Sequence, residues 1–223
     1  MNRTVILFDM DGLMVDTEPL ARAAWEQVVA PYGLTMSDDL YGQMLGRRTS
    51  ESAQLVLEAL VLPLLRDELI ERKTRLFLDS LREGVPVMPG LYALLDEVER
   101  RGLAWGVATS TPRAVAEIIL GKLGVAGRAG ALTCGDEVAH GKPAPDIFLL
   151  AAARLGAAPA ACLALEDSAN GVAAAAAAGM RVVAVGPTAV AAPVPVAVEG
   201  PFSLAFRRYP SLVEVAAELN TLL

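Results

Sequence analysis

Short apolar runs and amphipathic stretches divide this chain into unequal parts. Val5-Ile6-Leu7-Phe8 is continuous, short and β-branched at its start, which predicts a buried strand over 4–8. Helical periodicity then takes over. Trp25, Val28, Val29 and Tyr32 recur at i, i+3, i+4 and i+7, and Gly33 stops the run. Further helices are predicted at about 38–45, 50–60 and 66–81. No strand pattern interrupts them, so residues 17–86 read as a small all-helical insertion.

After Val85-Pro86-Val87-Met88-Pro89-Gly90 the pattern becomes strand–helix alternation. Leu91, Leu94, Leu95 and Val98 share one helix face, and Gly102 ends that helix. A strand follows at 103–109. Thr111-Pro112 reads as N-cap and first-turn proline of the next helix, closed by Gly121 or Gly124. Strands at 131–134, 162–165 and 182–185 alternate with helices at 145–155 and 171–178, the latter rich in alanine, the best helix former. A last helix is expected at about 211–222. The stretch 187–206 reads as a loop with a strand at 203–206. The order implies an α/β fold: a doubly wound parallel sheet with helices on both faces, residues 1–16 and 87–223, carrying an inserted helical domain.

Bulk properties narrow the function. Of 223 residues 54% are apolar and 20% charged, which is globular and not disordered. The net charge of −7 speaks against a nucleic-acid partner, so an anionic ligand must be met by a local cation or metal. Cys134 and Cys162 sit in apolar surroundings and read as reduced core residues of a cytoplasmic protein. No signal peptide is expected, because the chain opens on a strand that the fold needs. Residues 182–198 carry no charge, but Gly186, Pro187, Pro193 and Pro195 break them, so no membrane span is expected.

Ligands of such sheets bind beyond the carboxyl ends of the strands. The first strand ends at Asp9-Met10-Asp11, the second at Thr109-Ser110-Thr111, and the strand at 162–165 at Glu166-Asp167-Ser168. Lys142 lies in the loop 135–145. Acidic groups, a hydroxyl pair and one lysine therefore converge on one rim. Two carboxylates two residues apart are costly to desolvate unless a cation uses them, and a divalent metal with a phosphate is such a use. An EF-hand is excluded, since Gly12 falls at position four and Leu20 at position twelve.

Taken together, Asp9-Met10-Asp11-Gly12 with Asp16-Thr17, Thr109-Ser110, Gly141-Lys142-Pro143 and Glu166-Asp167-Ser168-Ala169-Asn170-Gly171 resemble the haloacid dehalogenase superfamily of phosphohydrolases. The resemblance spans roughly 4–186. It implies a Rossmann-like core with a helical cap at 17–86, closest to the branch of sugar-phosphate phosphatases, β-phosphoglucomutase and pseudouridine-5′-phosphatase. It implies Asp9 as a nucleophile that becomes an aspartyl-phosphate, and Asp11 as general acid and then base. It further implies a Mg²⁺ site of Asp9, Asp11, Asp167 and Glu166, and Thr109, the Ser110 backbone and Lys142 on the phosphoryl group. Arg47 and Arg48 follow Gly46 in a cap loop and, with Thr17 and Lys73, are the candidate substrate contacts.

The implied activity is Mg²⁺-dependent hydrolysis of a small phosphorylated metabolite, whether sugar phosphate, nucleotide-like or glycolate-type. No nucleic-acid or membrane partner is expected, and a monomer is expected with a dimer left open. The mutase alternative needs a histidine in the first cap helix, where this chain has Ala21. A non-catalytic phosphate-binding regulator would have lost Asp9, Asp11, Lys142 or Asp167, and all are present. His140, the single histidine, reads as a loop residue.

Overall fold

A computed structural model describes residues 4–190 and 202–223. Its centre is β1 (Val5–Phe8), buried on both faces as its unbroken apolar sequence requires. β2 (Trp105–Thr109) and β4 (Cys162–Glu166) flank it. β3 (Ala131–Cys134), β5 (Arg181–Val185) and β6 (Arg207–Tyr209) extend the sheet in the order β3-β2-β1-β4-β5-β6, with every pairing parallel. The chain-order reversal beside β1 opens a crevice at the carboxyl ends of β1, β2 and β4, where such sheets take their ligands.

Side chains of β1 alternate between two cores, as strand geometry dictates. Ile6 and Phe8 pack with α5 (Leu91–Arg100), α6 (Arg113–Lys122) and α10 (Leu212–Ala217). Val5 and Leu7 pack on the other face with α7 (Asp146–Arg154) and α8 (Ala169–Ala177). The small side chains of α8 bring it close to β4 and β5, and Ala174 and Ala175 are fully buried there.

The insertion holds α1 (Glu18–Val29), α2 (Asp38–Met44), α3 (Thr49–Leu60) and α4 (Arg66–Ser80). Trp25, Val28, Val29, Leu40, Met44, Val56 and Leu69 form a core of their own. Two crossing segments tether it to the sheet: Asp16 N–H donates to Pro86 O at 2.9 Å and Met88 N–H to Met14 O at 3.0 Å. Among the described residues no helix is long and apolar enough to cross a membrane.

Three expectations change. α6 starts at Arg113 with Pro112 as its N-cap, because the Thr111 hydroxyl is turned to Asp11 instead. Residues 203–206 are not a strand; β6 begins at Arg207, its exposed arginine marking a sheet edge that apolar alternation does not reveal. The last helix breaks at Glu218, between α10 and α11 (Leu219–Leu222). Residues 191–201 of the expected loop at 187–206 lie outside the described residues; before them comes α9 (Pro187–Val190).

Val61 closes α3 in the left-handed region, at φ 48°, and is 85% exposed. A β-branched residue there is strained by about 1–2 kcal/mol with no burial to offset it. Val61→Gly is expected to raise the urea midpoint, by about 1 kcal/mol in stability. A lower midpoint would contradict this reading of the turn.

Candidate active site

Three strand ends and one loop build the site. Asp9 follows β1, Thr109 ends β2, and Glu166 ends β4 with Asp167 next. Lys142 reaches in from the loop after β3 and is 2% exposed. Its ammonium donates to Asp9 Oδ1 at 2.6 Å, Glu166 Oε1 at 2.5 Å and Ala108 O at 3.1 Å. Burial works against that charge, but Asp9 and Glu166 outweigh it and hold the Lys142 pKa above the usual lysine range.

The carboxylates outnumber the ammonium. Burial raises Asp9 above the usual range, and the Glu166 and Asp11 charges add to it against the pull of Lys142. Burial likewise raises Asp167, with Asp9 and Glu166 adding to it. Glu166 is fully buried and accepts from Ser168 N–H at 3.2 Å and Ser168 Oγ at 3.1 Å. Close approach fixes two glycines: a Cβ on Gly171 would stand 1.9 Å from Glu166 Cδ, and one on Gly12 2.0 Å from Asp167 Oδ2. Gly12 also adopts φ 82°, a conformation that other residues resist.

Asp9, Glu166 and Asp167 each offer an oxygen within 4.8 Å of the others. Asp167 Oδ1 is buried without a hydrogen-bond partner. Three hard oxygen donors around one ammonium, one of them unpaired, fit a divalent cation. Glu166 is already engaged by Lys142 and Ser168, so Asp9 and Asp167 have the freer oxygens for it.

The Asp11 carboxylate is held apart from this cluster. It accepts hydroxyls from Thr17 at 2.6 Å, Thr111 at 2.7 Å and Thr109 at 3.3 Å. Sequence reasoning missed Thr111. The run of three hydroxyl residues Thr109-Ser110-Thr111, with the two threonines at i and i+2, is the available signal, and Thr-Pro ahead of a helix disguises it as a cap.

Above the carboxylates lies a cavity of about 120 Å³. The sheet side supplies Asp9, Asp11, Thr109, Ser110 and Asp167; the insertion supplies Arg47, Lys73, Thr49, Ser52, Trp25 and Tyr41. The Lys73 ammonium lies over the rings of Phe77 at 4.5 Å and Trp25 at 5.6 Å. Burial lowers its pKa to about 8, against the pull of Asp11. Arg47 lines the cavity with its Nε–H donating to Gln43 O at 2.8 Å. The Ser110 hydroxyl donates to Gly46 O at 2.8 Å.

Arg48 is the candidate substrate contact that the structure does not bring to the cavity. Its guanidinium turns to Glu51 and to the carbonyls of Val138 and Ala139, acceptors that satisfy it away from any ligand. His140 is likewise outside the cavity, with Nδ1 at 2.9 Å from Asp146 Oδ1.

Comparison with known proteins gives the same picture. The model of the haloacid dehalogenase-like hydrolase family matches residues 4–179. Fructose-1-phosphate phosphatase YqaB of Escherichia coli is 37% identical over 178 residues, 80% of this chain and 94% of that protein. A probable pseudouridine-5′-phosphatase of Drosophila melanogaster is 38% identical, covering 82% of this chain and 81% of its own length. The crystal structure of CbbY from Rhodobacter sphaeroides in complex with phosphate superimposes with a TM-score of 0.81 at 30% identity, covering 96% of both chains.

The excess carboxylate charge gives a measurable sign. Magnesium chloride added to EDTA-treated protein is expected to raise the thermal midpoint, more at pH 8 than at about pH 5.5. At the lower pH the Asp9 carboxyl, raised to about 8, holds a proton that a cation must displace, and burial raises Asp167 in the same direction. Asp167→Asn should remove most of the shift. Equal shifts at both pH values, or in the variant, would contradict the site.

Proposed function

The chain belongs to the haloacid dehalogenase-like hydrolase family and is a phosphoric monoester hydrolase, and from that premise we propose that it dephosphorylates a sugar or polyol phosphate with Mg²⁺. The observation that carries this is the two-sided cavity. Its sheet side offers carboxylates and Thr109 to a phosphoryl group, with Lys142 behind them on Asp9; its other side offers Lys73, Thr49, Ser52, Thr74 and Trp25. That second surface matches a ring or chain of hydroxyls. A cavity of about 120 Å³ limits the ligand to metabolite size. Relatives named for fructose 1-phosphate, phosphorylated carbohydrates and hexitol phosphates support the same class.

In this reading an Asp9 carboxylate oxygen bonds to phosphorus as the ester P–O bond breaks. Asp11 gives a proton to the departing oxygen, then takes one from the water that hydrolyses the aspartyl-phosphate. Three threonine hydroxyls hold Asp11 in place for both transfers. Lys142 balances charge on Asp9 and on the phosphoryl oxygens, with Thr109 and the Ser110 N–H beside it. Bound Mg²⁺ would offset the repulsion between the carboxylates and an incoming phosphate. Ala21 lines the cavity with no group to take or give a proton, which favours hydrolysis over phosphosugar mutation. The buried free thiols Cys134 and Cys162 support a cytoplasmic protein.

Phosphate release from a substrate panel tests the class. Hexose and hexitol phosphates should exceed phosphoglycolate in kcat/KM by about tenfold or more, since only they reach the insertion; equal values or the reverse order would reject it. Asp9→Asn should lower kcat at least about a thousandfold. Lys73→Met should raise KM with little change in kcat, and the KM of the unmodified enzyme should climb above about pH 8 as the ammonium deprotonates. A KM flat across that range would remove Lys73 from substrate binding.

A further inference from the structure

The loop between α2 and α3 touches three segments of the sheet side at once. Leu45 O accepts from Asn170 Nδ2 at 2.8 Å, on the segment after β4. Gly46 O accepts from Ser110 Oγ at 2.8 Å, just after β2. Arg48 Nη1 donates to Val138 O at 3.1 Å and Ala139 O at 3.3 Å, in the loop that follows β3 and leads to Lys142. Those three segments also carry Asp167, Thr109 and Lys142.

Arg48 is built for this contact. Glu51 fixes the guanidinium from the side, accepting Nε–H at 2.8 Å and Nη2–H at 2.5 Å on Oε1. The remaining Nη1 faces the two carbonyls. The planar fork serves both partners; a lysine ammonium at the end of its flexible stem cannot hold the same arrangement. The sheet side leaves room for it. A Cβ on Gly141 would stand 2.7 Å from Arg48 Nε, and one on Gly135 would stand 3.1 Å from Arg48 Cγ. From the insertion side, a Cβ on Gly46 would stand 2.5 Å from Ser168 Oγ.

We propose that Arg48, oriented by Glu51, is a positioning residue that latches the helical insertion shut against the Lys142 loop. It contacts no substrate. The latch holds the insertion closed over the cavity, using the loop as its anchor, while Lys142 itself is kept in place by Asp9, Glu166 and Ala108. Only the kinetic part of this inference rests on the phosphatase reading.

Trp25 reports closure without turnover. It is 3% exposed on the cavity wall, and Trp105, the other tryptophan, is 2% exposed in the sheet and serves as a constant background. Arg48→Ala is expected to raise iodide quenching of the Trp25 emission, the open population growing about tenfold for a charge-assisted hydrogen bond of ordinary strength. Arg48→Lys should fall between the two. With a hexose phosphate, Arg48→Ala should lose about tenfold in kcat/KM; with acetyl phosphate, too small to reach the insertion, it should stay close to wild type. If Arg48→Ala does not fold, Glu51→Gln should shift both readouts the same way, since the guanidinium loses its anchor. Unchanged quenching would overturn the latch, and so would equal losses with both phosphate donors. If wild type hydrolyses neither donor, the phosphatase reading fails while the quenching still decides the latch.

Discussion

The carboxylate cluster depends on one ammonium, that of Lys142. Lys142 sits between Asp9 and Glu166 with its side chain 1% exposed, and a third carboxylate, Asp167, stands within reach. An isolated carboxylate in such surroundings is prohibitive; paired with a hydrogen-bonded lysine it is tolerated. One positive charge cannot balance three negative ones. The deficit is what makes the rim receptive to a dication and, with it, to a phosphate. Parallel strand ends bring the carboxylates together, and the loop after β3 supplies the counter-charge from the opposite side.

Two carboxylates separated by one residue acquire different surroundings through backbone geometry. Gly12 turns at φ 82° and donates to Val15 O at 2.8 Å, sending the Asp11 side chain towards threonines while Asp9 stays on Lys142. In the proposed reaction, that difference in surroundings assigns the two carboxyls their roles. The same turn leads into α1, so the chemistry and the entry to the helical insertion are joined within a few residues. The insertion adds Lys73 and the rings of Trp25 and Phe77 to the cavity wall.

Much of this was legible in the sequence, for identifiable reasons. A buried central strand must be continuously apolar, so β1 announced itself, and the residues after it fell on the binding rim by topology. Asp9, Thr109, Lys142, Glu166 and Asp167 were all named from strand ends and loop position. What failed was side-chain direction. Thr111 resembled a helix cap until tertiary contact with Asp11 claimed its hydroxyl. Arg48 looked like Arg47, its neighbour; only the carbonyls of Val138 and Ala139, ninety positions away, separate the two roles. β6 escaped because an edge strand needs no apolar alternation.

In the proposed reaction Asp9, held by Lys142, is the nucleophile. Borohydride reduces an acyl phosphate to the alcohol, so an aspartyl-phosphate would be converted to homoserine and an untouched aspartate would not. The most direct measurement mixes Asp11→Asn enzyme, in which hydrolysis of the intermediate is slowed, with substrate and Mg²⁺, adds borohydride, and maps the peptides by mass spectrometry. Homoserine at position 9, dependent on substrate and absent from Asp9→Asn, is the predicted result. Conversion at another carboxylate, or none at position 9 while phosphate is still released, would contradict it.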